Sequence, residues 1–96
     1  MKYSEIKQQI IEALSPYHPE KIGIFGSYSR GQGRNNSDLD VLVRFGDTPS
    51  FIQLIRLENE LSEKLNIKVD LVTEGAIKNQ RIRKSIEQDL DVIYKA

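Results

Sequence analysis

The sequence has no cysteine and no tryptophan, one histidine, three prolines and a formal net charge of zero. Without cysteine there are no disulfides, no thiolate metal sites and no cysteine nucleophile. One histidine, His18, cannot build a histidine-rich metal centre. Fourteen basic residues against fourteen acidic ones argue against a protein whose main task is neutralising a nucleic-acid backbone. No direct nucleic-acid binding is therefore expected, although a local phosphate site stays open. No apolar run approaches the ~20 residues of a membrane span, and the start MKYSEIKQQI has no signal-peptide core. The expectation is a soluble, cytoplasmic protein with one domain over residues 1–96. A chain of this length suits a shallow cleft of strand ends and loops better than a large enclosed pocket.

What is present alternates between helical and extended patterns. Ile6, Ile10, Ala13 and Leu14 share one helix face, and Pro16 and Pro19 end that helix. KIGIFGS predicts a short strand stopped by Gly26, and GQGRNNS is turn material. A short helix is expected within this connection. DLDVLVRF alternates: Leu39, Val41, Val43 and Phe45 on one face, Asp38, Asp40, Leu42 and Arg44 on the other. Ser50 with Gln53 forms a capping box for a helix carrying Phe51, Leu54, Leu57, Leu61 and Leu65. IKVDLV reads as a third strand, with Asp70 opposite Ile67, Val69 and Leu71. A last helix carries Ile82 and Ile86, and LDVIY closes the chain as a strand. The fold class is α/β (α+β), a mixed sheet of about four strands with helices packed on it. The helical crossover suits a parallel pairing of the second and third strands.

Asp38 and Asp40 leave one face of a strand, with Cβ atoms about 6–7 Å apart. Two carboxylates that close repel unless something positive sits between them. An all-oxygen donor set suits a hard cation such as Mg²⁺ or Mn²⁺. Asp70 adds a third acid, brought to the same spot if its strand neighbours theirs. Three carboxylates around divalent ions suit phosphoryl and nucleotidyl transfer. Gly26 permits close backbone approach to a phosphate, Ser27 offers a hydroxyl and N–H groups, and Arg30 can neutralise phosphate charge. Each feature alone has a plainer explanation: a solvated turn, an edge-strand acid, a surface arginine. Their combination at strand ends is the signal.

Gly26-Ser27, ten residues, then Asp38-Leu39-Asp40 resembles the motif of the DNA polymerase β-like nucleotidyltransferases. The wording GSYSRGQGRNNSDLDVLV is similar to the minimal nucleotidyltransferase (MNT) branch, with Ser29 in place of the usual alanine and with Arg30, Gly31 and Ser37 fitting. The resemblance covers nearly the whole chain and implies specific roles. Asp38, Asp40 and Asp70 would be catalytic and bind Mg²⁺ (or Mn²⁺); Gly26 and Ser27, with Arg30, would hold ATP; Asp70 would be the general base. The branch implies an antitoxin that transfers AMP from ATP to a tyrosine of a cognate HEPN ribonuclease toxin, in a possible homo- or hetero-oligomer. Two alternatives stay open: an antitoxin that only occludes its toxin, and transfer to a small molecule or RNA. Tyr28 either stacks on a base or packs. Arg81, Arg83 and Lys84 read as a solvated helix face, His18 as a loop residue and Tyr94 as strand packing.

Overall fold

The computed structural model describes residues 1–33 and 37–96. Helix α1 (Tyr3–Leu14) stops before a 3₁₀ turn, Ser15–Tyr17, that contains Pro16. Strand β1 (Pro19–Phe25) follows; it starts two residues earlier than the apolar run suggested, because proline is tolerated as the first residue of a strand. Strand β2 (Leu39–Phe45) leads to helix α2 (Phe51–Leu65). Both halves of the capping box form: Gln53 N donates to Ser50 Oγ at 3.2 Å, and Ser50 N donates to Gln53 Oε1 at 3.0 Å. Strand β3 (Val69–Thr73), a 3₁₀ turn (Glu74–Ala76), helix α3 (Gln80–Asp89) and strand β4 (Asp91–Lys95) complete the order.

The sheet runs β3-β2-β1-β4. As the crossover predicts, β2 and β3 are parallel, while β1 is antiparallel to both β2 and β4. Ile22, Ile24, Leu39, Val41, Val43 and Val69 point to one face, where they join Ile6, Ile10 and Leu14 of α1 and Leu57, Leu61 and Leu65 of α2 in a single core. The reverse face is partly covered by α3, which packs on β1. Leu90, which follows α3, lies where a Cβ on Gly23 would be, 2.4 Å from its Cδ1. Leu42 and Ile86 are buried outside the main cluster.

Helix α2 also guards the outer edge of β3. Val69 N donates to Ser62 Oγ at 2.9 Å, and Leu71 N donates to Glu58 Oε2 at 2.7 Å. Two side chains thus satisfy an edge that would otherwise present bare N–H groups.

Several sequence expectations need correction. Residues 26–31 form turns and no helix. Gly26 (φ +76°) and Gly31 (φ +72°) are left-handed at its two ends, which interrupts helical propagation. Part of the GQGRNNS stretch, residues 34–36, lies outside the described residues. β3 begins at Val69, because Asn66 ends α2 in a left-handed conformation (φ 54°) and the chain needs two further residues to reach the sheet. Ile82, Phe51 and Tyr94 are exposed, whereas helical or strand periodicity had placed them in the core. Each sits beyond the reach of the helix or strand layer that would cover it: Phe51 in the first turn of α2, Ile82 in the first turn of α3, and Tyr94 near the end of an edge strand.

Candidate active site

The antiparallel register sets Phe25, the last residue of β1, against Asp40. The next residue, Gly26, therefore lies beside the Asp40 carboxylate. A Cβ on Gly26 would sit 2.3 Å from Asp40 Oδ2, and its φ of +76° disfavours any side chain. Glycine is required there twice over, by approach and by dihedral. The turn is closed by Arg30 N donating to Gly26 O at 3.3 Å and Gln32 N donating to Ser27 O at 2.8 Å. Ser29 Oγ donates to Gly26 O at 2.8 Å, so the hydroxyl in place of the usual alanine helps fasten the turn.

On the other side of β2, the parallel register pairs Asp40 with Asp70. Both acids emerge on the face away from the core. Asp38, one residue before β2, pairs with Lys68 Nζ at 3.8 Å. The three carboxyls influence one another. Partial burial holds the Asp40 carboxyl above the usual carboxylate range; Asp70 and Asp38 push it the same way, and Arg30 opposes them. Asp70 is raised by partial burial first, then by Asp38 and Glu58, with Lys68 opposing. Such mutual repulsion is relieved by a cation placed among the acids. The donors are all oxygen, which suits a hard divalent ion. Among the described residues, however, no three His, Cys, Asp or Glu side chains are drawn together tightly enough to surround one. In chemistry the set fits a hard ion; the nearness of the acids appears in their mutual electrostatics.

The other residues singled out from the sequence fall elsewhere. Tyr28 packs against the core cluster, and its ring would lie 2.6 Å from a Cβ on Gly33, so packing is its role in this structure. Arg83 Nη2 donates to Ile77 O at 2.9 Å and Glu74 O at 3.4 Å, which pins the loop before α3. His18, left-handed at φ 52°, follows the 3₁₀ turn at the opposite end of β1. It lines a hollow of about 340 Å³ with Ile11, Ser15, Pro19, Glu20 and Tyr94 that contains none of the acids. The sequence reading missed Asp89, Glu58 and Lys68. The first holds Arg30 through Nη1 and Oδ2 at 2.5 Å, and the other two border Asp70. Their signals were ordinary helix and loop charges; only the packing brings them to the site.

The polymerase β nucleotidyltransferase family profile matches residues 8–96. A Methanocaldococcus jannaschii protein, MJ0128, whose name assigns it provisionally as a protein adenylyltransferase, is 53% identical over 74 residues, 77% of this chain and 76% of that protein. The protein adenylyltransferase MntA of Thermococcus cleftensis is 44% identical over 59 residues, covering 62% of this chain and 60% of its own length. A chain of a toxin–antitoxin crystal structure with AMP-PNP superposes with a TM-score of 0.84 and 27% identity, over 94% of this chain and 73% of that one. With a family profile over nearly its whole length and a glycine turn set against a strand-borne acid pair, this chain is a member of the polymerase β family of nucleotidyltransferases.

Proposed function

We propose that this chain is an antitoxin-type protein adenylyltransferase, a single catalytic domain that transfers AMP from ATP to a tyrosine of a cognate HEPN ribonuclease toxin. One observation carries the reading: the Gly26 turn, too tight for any side chain, abuts Asp40, which is in register with Asp70. A phosphate-cradling backbone and paired acids thus share one strand-end cleft. The AMP-PNP in the related toxin–antitoxin structure supports ATP as the donor.

Asp38, Asp40 and Asp70 would hold Mg²⁺ or Mn²⁺, which when bound supplies charge stabilisation for the triphosphate. The backbone at Gly26 and Ser27 would carry the phosphates, and Arg30 would meet their charge. The attacking tyrosine oxygen forms a bond to the α-phosphorus, the bond to pyrophosphate breaks, and the tyrosine proton passes to a base. Asp70 fits that role by its place, in register with Asp40 on the neighbouring strand and on the same face of the sheet. The acids sit at strand ends, Asp38 exposed and Asp40 and Asp70 half-buried, which suits a protein acceptor carried to the cleft on a partner surface better than an enclosed small-molecule site. A cytoplasmic location goes with this chemistry.

The test is a transfer assay with Mg²⁺, α-labelled ATP and the product of the neighbouring gene. A label on that protein, lost with Asp38→Ala, is the expected result; an unlabelled partner would sink the reading. A second reading, neutralisation by occlusion alone, draws on the exposed Phe51, Ile52 and Ile55 of α2, which offer a docking face without the acids. Toxin neutralisation that survives Asp38→Asn with Asp40→Asn would favour it.

A further inference from the structure

Asp89 is the last residue of α3, and the last turn of that helix carries no basic residue. A carboxylate there faces the negative end of the helix dipole, so the helix itself gives no reason for it. Its partner comes from the active-site turn. Arg30 Nη1 donates to Asp89 Oδ2 at 2.5 Å, across 59 residues of sequence, and Arg30 Nε donates to Gln32 Oε1 at 3.2 Å. The guanidinium is thus held by two acceptors, neither of them Asp40, although its charge reaches Asp40.

The residues after Asp89 fix its position. Leu90 fills the space beside Gly23, where a Cβ would collide with it. Asp91 accepts a hydrogen bond from Tyr3 Oη at 2.8 Å and pairs with Lys7 Nζ at 3.8 Å, tying this junction to α1. The backbone at Asp89 is therefore anchored to the fold, and Arg30 is the more exposed partner of the pair, 46% against 27%.

We propose that Asp89 is a positioning residue that holds the Arg30 guanidinium away from Asp40 and so keeps the Asp40 carboxylate open to a divalent cation. This rests on the metal reading of the acids. Arg30 stands on the turn whose Gly26 abuts Asp40; without Asp89, its guanidinium is free to turn to that carboxylate and compete with the ion.

The experiment is calorimetric titration of Mn²⁺ into the nucleotide-free chain, with melting curves for every variant. Asp89→Asn is expected to weaken Mn²⁺ binding about twofold to fivefold, the upper part of the range an exposed ion pair's free energy spans. Asp89→Glu, which keeps the charge, should bind as the wild type does. Combining Asp89→Asn with Arg30→Ala should restore the affinity; these two proteins differ only at Arg30, so their comparison holds even if Asp89→Asn lowers the melting point. Unchanged binding in Asp89→Asn, or a loss that removing Arg30 does not reverse, overturns the proposal. If wild-type protein does not bind Mn²⁺, or still binds it with Asp40→Asn, the metal reading fails and takes the proposal with it. Wild-type binding that depends on Asp40 but ignores Asp89 overturns the proposal alone.

Discussion

On the sheet face under α1 and α2, Ile22, Ile24, Leu39, Val41, Val43 and Val69 are buried to 0–1% exposure. On the reverse face the same strands carry Lys21, Asp40, Arg44 and Asp70, partly covered by α3 and laced with ion pairs to Glu20 and Glu74. One face is a continuous apolar core; the other holds charges that raise each other's proton affinity. Strand alternation makes this division possible, because successive side chains leave opposite faces. It also lets a small domain keep charged chemistry apart from the packing that holds it together. Stability and activity should therefore respond to different substitutions.

The largest expected effect lies on the charged face. Asp40→Ala should reduce label transfer at least about 10³-fold, since metal-held charge stabilisation contributes several kcal/mol. The melting temperature should not fall, and a fall would mean that the charged face also bears stability. On the apolar face, Leu61→Ala should cost about 2–5 kcal/mol, because Leu61 is fully buried and leaves a cavity. Urea unfolding measures this, and transfer per folded molecule should stay near wild type. Gly26→Ala crosses the division. The strained φ costs about 1–2 kcal/mol, and the new methyl meets Asp40 Oδ2. Both the denaturation midpoint and transfer should drop together.

The smallest effect sharpens the comparison through pH. The folded state raises the proton affinity of Asp40, so the protonated acid fits the fold better than the ionised one. Its favourable contribution is complete below the ordinary carboxylate pKa of ~3.9 and is lost as pH rises through the raised folded value. Asp40→Asn removes the repulsion at neutral pH without removing the side chain. It should melt slightly above wild type at pH 7, by less than ~1 kcal/mol for a partly exposed group. The gap should close as pH falls towards 4. A variant less stable than wild type at pH 7 would show that Asp40 also supports the fold.

Much of this was legible in the sequence because the signals were local. The alternation of Leu39, Val41 and Val43 against Asp38 and Asp40 survives folding unchanged, since a strand has a period of two in any context. Ser50 and Gln53 formed their capping box because both partners lie within one helical turn. Gly26, followed by Ser27 and two aspartates at a fixed spacing, marked the turn and the acids before any contact was known. Periodicity alone misplaced Phe51, Ile82 and Tyr94. Whether an apolar residue is buried depends on which layer covers it, and the sequence pattern states only the face.

By itself, then, the sequence determined the three α-helices and four strands, the parallel pairing of β2 with β3, the face on which Asp40 and Asp70 lie and the glycine turn beside them. The tertiary structure decided the register of Asp40 with Asp70, the Glu58 and Ser62 caps on the edge of β3, and the grip of Asp89 on Arg30. The physical reason is range. Backbone periods and caps act between residues a few positions apart. Arg30 and Asp89 meet across 59 positions, through a sheet, a helix and Leu90 seated against Gly23, and nothing nearer in the chain encodes their meeting.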